Sequence, residues 1–148
     1  MTTRKDFQAV SGNPHFSTSH PYRHPTRRVL LIDDEAPLRR VTQLTLKITA
    51  GWEVWGAASG KEGVQQAELE QPDVILLDLM MPDVDGLSTL KMLQDNPKTQ
   101  PIPIILLTAK LQTNPQLKLQ YSAIKAVLVK PFDPTTLAQE IKKTLNWI

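Results

Sequence analysis

Cysteine is absent from the 148-residue chain, which excludes disulfides, thiolate metal sites and a cysteine nucleophile, and suits a reducing compartment. The three histidines, His15, His20 and His24, all fall in the first 28 residues, so the remainder holds no histidine triad and no histidine-based zinc site. No apolar run approaches the roughly 18 residues of a membrane span, and the N-terminal residues lack the apolar segment of a signal peptide. A cytoplasmic protein is expected.

The chain has the size of one domain, and its 41% apolar content is enough for a core. A pI of 8.9 invites a nucleic-acid reading, but the charge is unevenly placed. Residues 1–28 carry Arg4, Lys5, Arg23, Arg27 and Arg28 against Asp6, a balance of +4, while the rest of the chain balances at −2. The basic character therefore belongs to one end, and direct DNA binding is not indicated. With Pro14, Pro21 and Pro25 and no apolar periodicity, residues 1–27 read as a flexible basic extension, and 28–148 as the folded domain.

That domain is organised around Asp73 to Gly86. Val74 to Leu77 is apolar at every position and too short for an ordinary helix, which suits a strand covered on both faces. Asp78 follows at once, and Pro82 and Gly86 then prevent a simple continuation. The same texture recurs along the chain. Val29 to Ile32 runs into Asp33, Asp34 and Glu35, Ile102 to Leu107 into Thr108, and Val127 to Val129 into Lys130. Trp52 to Ala58 reads as a further strand.

Between these lie helix patterns. Pro37 with Leu38, Val41, Leu44 and Ile48 marks an amphipathic helix closed by Gly51. A polar helix spans Gly60 to about Glu70, and Leu87, Leu90 and Leu93 stripe another that ends at Asn96-Pro97. A short helix is expected from Asn114-Pro115 to about Ser122, and Leu137, Ile141 and Leu145 face the core from a terminal one. Five alternations of strand and helix predict an α/β fold, a parallel sheet with helices on both faces.

In such a sheet all strands end on one edge, where open α/β proteins bind ligands. Asp33, Asp34, Asp78, Thr108 and Lys130 then meet at one crevice although they are far apart in sequence. Three neighbouring carboxylates repel one another and raise at least one pKa unless a cation is present. An all-oxygen site with few protein ligands suits Mg²⁺. One carboxylate can act as nucleophile toward a phosphoryl group, and Asp78, exposed by its turn, is the best candidate. The metal and Lys130 would offset charge on the transferring oxygens.

Asp33-Asp34, Asp78 within Leu-Asp-Leu-Met-Met-Pro-Asp-Val-Asp-Gly, Thr108-Ala109 and Lys130-Pro131-Phe132 resemble the receiver domain of two-component response regulators over residues 28–148. The resemblance implies a flavodoxin-like (βα)5 fold with strand order 2-1-3-4-5 and Mg²⁺ held by Asp33, Asp34, Asp78 and the backbone carbonyl of Met80. It implies phosphorylation of Asp78 by a histidine kinase or histidine phosphotransfer protein, with Thr108 bonding the phosphoryl group and Lys130 pairing with it. A cis Lys130-Pro131 bond and a homodimer through the last helix and strand follow by the same analogy.

The chain departs from the pattern in two places. Receivers usually carry an aromatic residue three before the lysine, and here that position is Val127, which puts the usual output route in doubt. Met80, two residues past Asp78, offers no polar group to orient a water attacking the phosphoryl, so a long-lived phosphoryl state is expected. Only 18 residues follow Lys130, which reads as a single-domain regulator that signals by protein–protein interaction and catalyses only its own phosphorylation and dephosphorylation. Two competing readings are a non-phosphorylated scaffold, kept open by Val127, and an aspartyl-nucleophile phosphatase. The second would use Asp83 and Asp85, but Met80, Met81 and Pro82 separate these from the strand. As a calcium loop the same tetrad fails, because Met81 and Met92 fall where the first and last ligands belong.

Overall fold

The computed structural model describes residues 26–81, 86–109 and 116–147. Ten elements alternate: β1 (Arg28–Ile32), α1 (Ala36–Ala50), β2 (Glu53–Ala57), α2 (Gly60–Glu70), β3 (Val74–Asp78), α3 (Gly86–Asp95), β4 (Ile104–Ala109), α4 (Gln116–Gln120), β5 (Ile124–Lys130) and α5 (Pro134–Leu145). The five strands form one parallel sheet of order β2-β1-β3-β4-β5, the flavodoxin-like arrangement. Residues of the expected N-terminal extension up to 25, the Asp83 and Asp85 tetrad and the Asn114-Pro115 helix start lie outside the described residues.

Side-chain alternation divides the core in two. Leu30 and Ile32 of β1, with Ile75 and Leu77 of β3, face α2, α3 and α4 and meet Ala67, Leu90, Leu93 and Leu117. Val29, Leu31, Val74 and Leu76 face the other way, against Leu46 of α1 and Leu137 and Ile141 of α5. β3 is buried at every position, as an all-apolar central strand requires. β2 is an edge strand, and its outward carbonyls are not left bare: Gln43 of α1 donates to Val54 O at 3.1 Å and Gln66 of α2 to Gly56 O at 3.4 Å.

Local chemistry sets the helix ends. Ser59 caps α2 by accepting from Glu62 N, while Glu62 returns a carboxylate to Ala58 N. Pro134 follows the Asp133 cap of α5. Gly51 closes α1 with φ +72°, a backbone conformation that favours glycine. Gly86 opens α3 for a different reason, because a Cβ there would meet the backbone of Leu79 in the loop that follows Asp78.

Several expected core positions fall elsewhere. Val41, Leu44 and Ile48 are exposed, Ile48 at 81%, and the buried face of α1 runs through Thr42 and Leu46. The helix must fit between α5 and the β2 edge, and threonine, counted as polar in the pattern, fills the tight inner position. Leu87 is likewise exposed while Leu90 and Leu93 are buried. β2 begins at Glu53, with Trp52 buried just ahead of it and stacked edge-on against Trp147. β5 is longer than its apolar run and includes Ile124 and the exposed Lys125, as an edge strand can.

Candidate functional site

The strand order reverses between β1 and β3, and the crevice beyond their C-terminal ends is where the chemistry-bearing residues gather. Asp33 follows β1 directly and is fully buried; Asp78 is the last residue of β3 and almost as buried, while Asp34 is exposed. Carboxylate oxygens of all three lie within 4.8 Å of one another.

Backbone turns hold these carboxylates in place. Asp33 Oδ1 accepts from Glu35 N at 2.9 Å, and Asp78 Oδ1 accepts from Met80 N at 2.9 Å. Arg39, one turn into α1, donates to the Asp33 carbonyl at 2.7 Å. From the sheet edge, Lys130 brings its Nζ to 2.9 Å from Asp33 Oδ2, 2.9 Å from Glu35 Oε1 and 3.4 Å from Asp78 Oδ2. The Lys130-Pro131 peptide that follows is cis. Thr108 is fully buried on β4, one residue beyond the Leu107 that stands level with Asp78.

The electrostatics follow from this crowding. Burial pushes the Asp78 carboxyl up to about 6, and the Asp33 charge pushes in the same direction against the Met80 N–H and Lys130. Burial disfavours the Lys130 charge, but bonds to Asp33 and Glu35 outweigh it and hold the ammonium above its ordinary value. Asp33 Oδ2, fully buried, faces the Lys130 ammonium at 2.9 Å. Three converging carboxylates, two of them buried, fit a hard divalent cation, whose charge would relieve their repulsion. Asp34, Glu35, Asp78, Met80 and Lys130 line a cleft of about 270 Å³ at this point. An ionised, partly desolvated carboxylate there can attack an electrophilic phosphorus or carbon atom.

The sequence model of the response regulator receiver domain matches residues 29–142. The chain belongs to this family. The receiver is similar to the chemotaxis protein CheY4 of Vibrio cholerae, with a TM-score of 0.71 and 33% identity over 81% of this chain and 99% of that one. It is also similar to the receiver domain of the sensor histidine kinase PA1611 from Pseudomonas aeruginosa, solved with a magnesium ion in its active-site cleft (TM-score 0.69, 28% identity, 82% and 99% of the two chains). Among curated proteins it is 34% identical over 119 residues to the DNA-binding dual master transcriptional regulator RpaA of Synechocystis, covering 80% of this chain and 49% of that one. A probable transcriptional regulator of Porphyridium aerugineum, ycf27, is 36% identical over 80% of this chain and 48% of its own length. The receiver thus spans about half the length of these curated relatives.

The crevice brings together Asp33, Asp34, Asp78 and Lys130, as their positions at strand ends predict. Met80 lines the cleft, and its N–H is turned to Asp78. Val127 packs partly buried against the core face that holds Leu106 and Leu117. Sequence reasoning missed two members of the site. Glu35 occupies the N-cap of α1, where its kind of side chain caps poorly, and its tie to Lys130 shows only in the folded chain. Arg39 gives no signal, since an arginine on a helix is ordinary.

Proposed function

We propose that this receiver accepts a phosphoryl group on Asp78 from a histidine kinase or histidine phosphotransfer protein in a Mg²⁺-dependent reaction, acting in the cytoplasm through contacts with other proteins. The observation that carries this reading is the Asp78 carboxylate at the end of a buried strand, with two further carboxylates within 4.8 Å and an ammonium 3.4 Å away.

Asp33, Asp34 and Asp78, with the Met80 carbonyl, are the residues that would hold the ion. Bound there, Mg²⁺ would offset the charge on the transferring oxygens. The Asp78 carboxylate attacks phosphorus as the P–N bond of the donor phosphohistidine breaks, and the electron pair stays with the imidazole nitrogen, which takes up a proton. Lys130 neutralises one phosphoryl oxygen, and Thr108 donates to another. The crevice does little covalent work of its own, because phosphoryl transfer depends mostly on positioning and electrostatics. The −2 balance outside residues 1–28 supports protein contact rather than DNA reading by this domain.

Intact mass after incubation with a small-molecule phosphodonor, with and without Mg²⁺, tests the reading on the wild type and Asp78→Asn. One phosphoryl group gained only with Mg²⁺, absent from the variant and released by hydroxylamine, is the expected result. No gain with any donor, histidine kinases included, would favour the scaffold reading instead.

A further inference from the structure

The Lys130 ammonium has three N–H donors, and among the described residues three carboxylates surround it: Asp33, Glu35 and Asp78. A phosphoryl group on Asp78 would replace that carboxylate's charge and bring strong acceptor oxygens to the same ammonium, where they compete with Asp33 and Glu35 for its donors. Asp33 is fully buried and pinned by the Glu35 N–H, and Asp78 carries the new group. Glu35 is different. Its side chain is 58% exposed, so its carboxylate can leave Lys130 for water at little cost.

Glu35 also spends its side chain unusually. Glutamate is a poor N-cap, and at the start of α1 it makes no cap bond; its carboxylate instead accepts from Lys130 at 2.9 Å. A local rule broken beside a reactive group points to a role at that group. Glu35 lines the same cleft as Asp78 and Lys130.

We infer that Glu35 is a positioning residue for Lys130, occupying on the ammonium the place that a phosphoryl oxygen must take, and that phosphorylation displaces it. The inference rests on the reading of Asp78 as phosphoacceptor. Glu35 then slows phosphoryl uptake by competing for Lys130, and its release changes the free charge at the first turn of α1 when the phosphoryl group arrives.

The test is the initial rate of phosphoryl uptake from acetyl phosphate at a subsaturating concentration and fixed Mg²⁺, for the wild type, Glu35→Gln and Glu35→Asp. Glu35→Asp keeps the charge and improves the cap, so α1 stays folded, but one methylene less takes a carboxylate now at 2.9 Å out of hydrogen-bond range. Both variants should take up phosphoryl about three- to fivefold faster, the modest effect suited to a partly exposed pair. Rates for both at or below the wild type would overturn the inference. So would a fast Glu35→Gln beside an unchanged Glu35→Asp, since that pattern reflects charge in the cleft and not the hold on Lys130. Absence of uptake by the wild type removes the phosphoacceptor reading itself, and this inference with it, and is distinguishable because the wild type then fails as well.

Discussion

Lys130, at the end of the edge strand β5, reaches past the end of β4 to bring its ammonium within 3.4 Å of Asp78 Oδ2. Parallel strands make this meeting possible, since every strand delivers its last residue to the same edge. The lysine only partly offsets the burial and the Asp33 charge that act on Asp78. The site therefore stands under electrostatic tension that either a divalent cation or a proton relieves.

That tension makes Asp78 a cost to stability at neutral pH. Its carboxyl is raised from 3.8 to about 6, so the folded state holds a proton that the unfolded state releases. Stability from this group is fully present below about pH 4 and is lost as pH rises through about 6. With a chelator present, Asp78→Asn should unfold at higher denaturant than the wild type at pH 7.5, by about 1–3 kcal/mol, and show little difference at pH 4. Urea titrations at the two pH values decide it; a variant less stable than the wild type at pH 7.5 would mean that Lys130 outweighs burial and Asp33.

The same tension predicts how Mg²⁺ acts on the fold. An ion among Asp33, Asp34 and Asp78 binds the native state alone, so it should raise the thermal midpoint with concentration. The rise should be larger at pH 7.5 than at pH 5, where the Asp78 proton competes for the same oxygens. Asp34→Asn, at an exposed position that supports no core packing, should reduce the Mg²⁺-dependent shift by half or more without lowering the midpoint in chelator. Equal shifts for both proteins would remove Asp34 from the ligand set.

The sheet and its chemistry were legible in the sequence because a buried parallel strand leaves two marks at once. Each apolar run shows the strand, and the polar residue that ends it, Asp33, Asp78, Thr108 or Lys130, shows which edge matters. The meeting of these residues then follows from a parallel sheet, while the strand order comes from the resemblance to receiver domains. Helix orientation was less legible, since apolar spacing gives a stripe but not the neighbour it faces. On α1 the stripe of Val41, Leu44 and Ile48 is the outer one. Glu35 was hidden for another reason: its partner Lys130 is brought to it only by the closed fold.

The orientation of α1 has a direct mutational consequence. Leu46 is fully buried against β1, β3 and α5, so Leu46→Ala should cost about 2–4 kcal/mol, the transfer of a leucine side chain plus the cavity it leaves. Ile48, 81% exposed and two residues further on the opposite face, should lose no more than about 0.5 kcal/mol when changed to Ala. Chemical denaturation of the two variants separates the outcomes. A larger loss at Ile48 than at Leu46 would place the helix in the orientation that its apolar stripe alone suggests.

Met80 bears on how long a phosphoryl group would stay. Its N–H is committed to Asp78 Oδ1, and the residue, half exposed, lines the cleft; its thioether is a weak acceptor and no donor. A water approaching the phosphorus of phosphorylated Asp78 thus finds nothing at position 80 to orient it, and hydrolysis should be slow. A carboxamide in the same place supplies one hydrogen bond to that water, worth about 0.5–1.5 kcal/mol, so Met80→Asn should shorten the phosphoryl half-life by about two- to tenfold. The half-life is read by loss of the mass increment after the donor is removed. Met80→Leu provides the control, since it keeps the apolar volume and should leave the half-life within about twofold of the wild type. An unchanged rate in Met80→Asn would show that the attacking water is positioned by other groups, with Thr108 and the loop after β4 the next places to look.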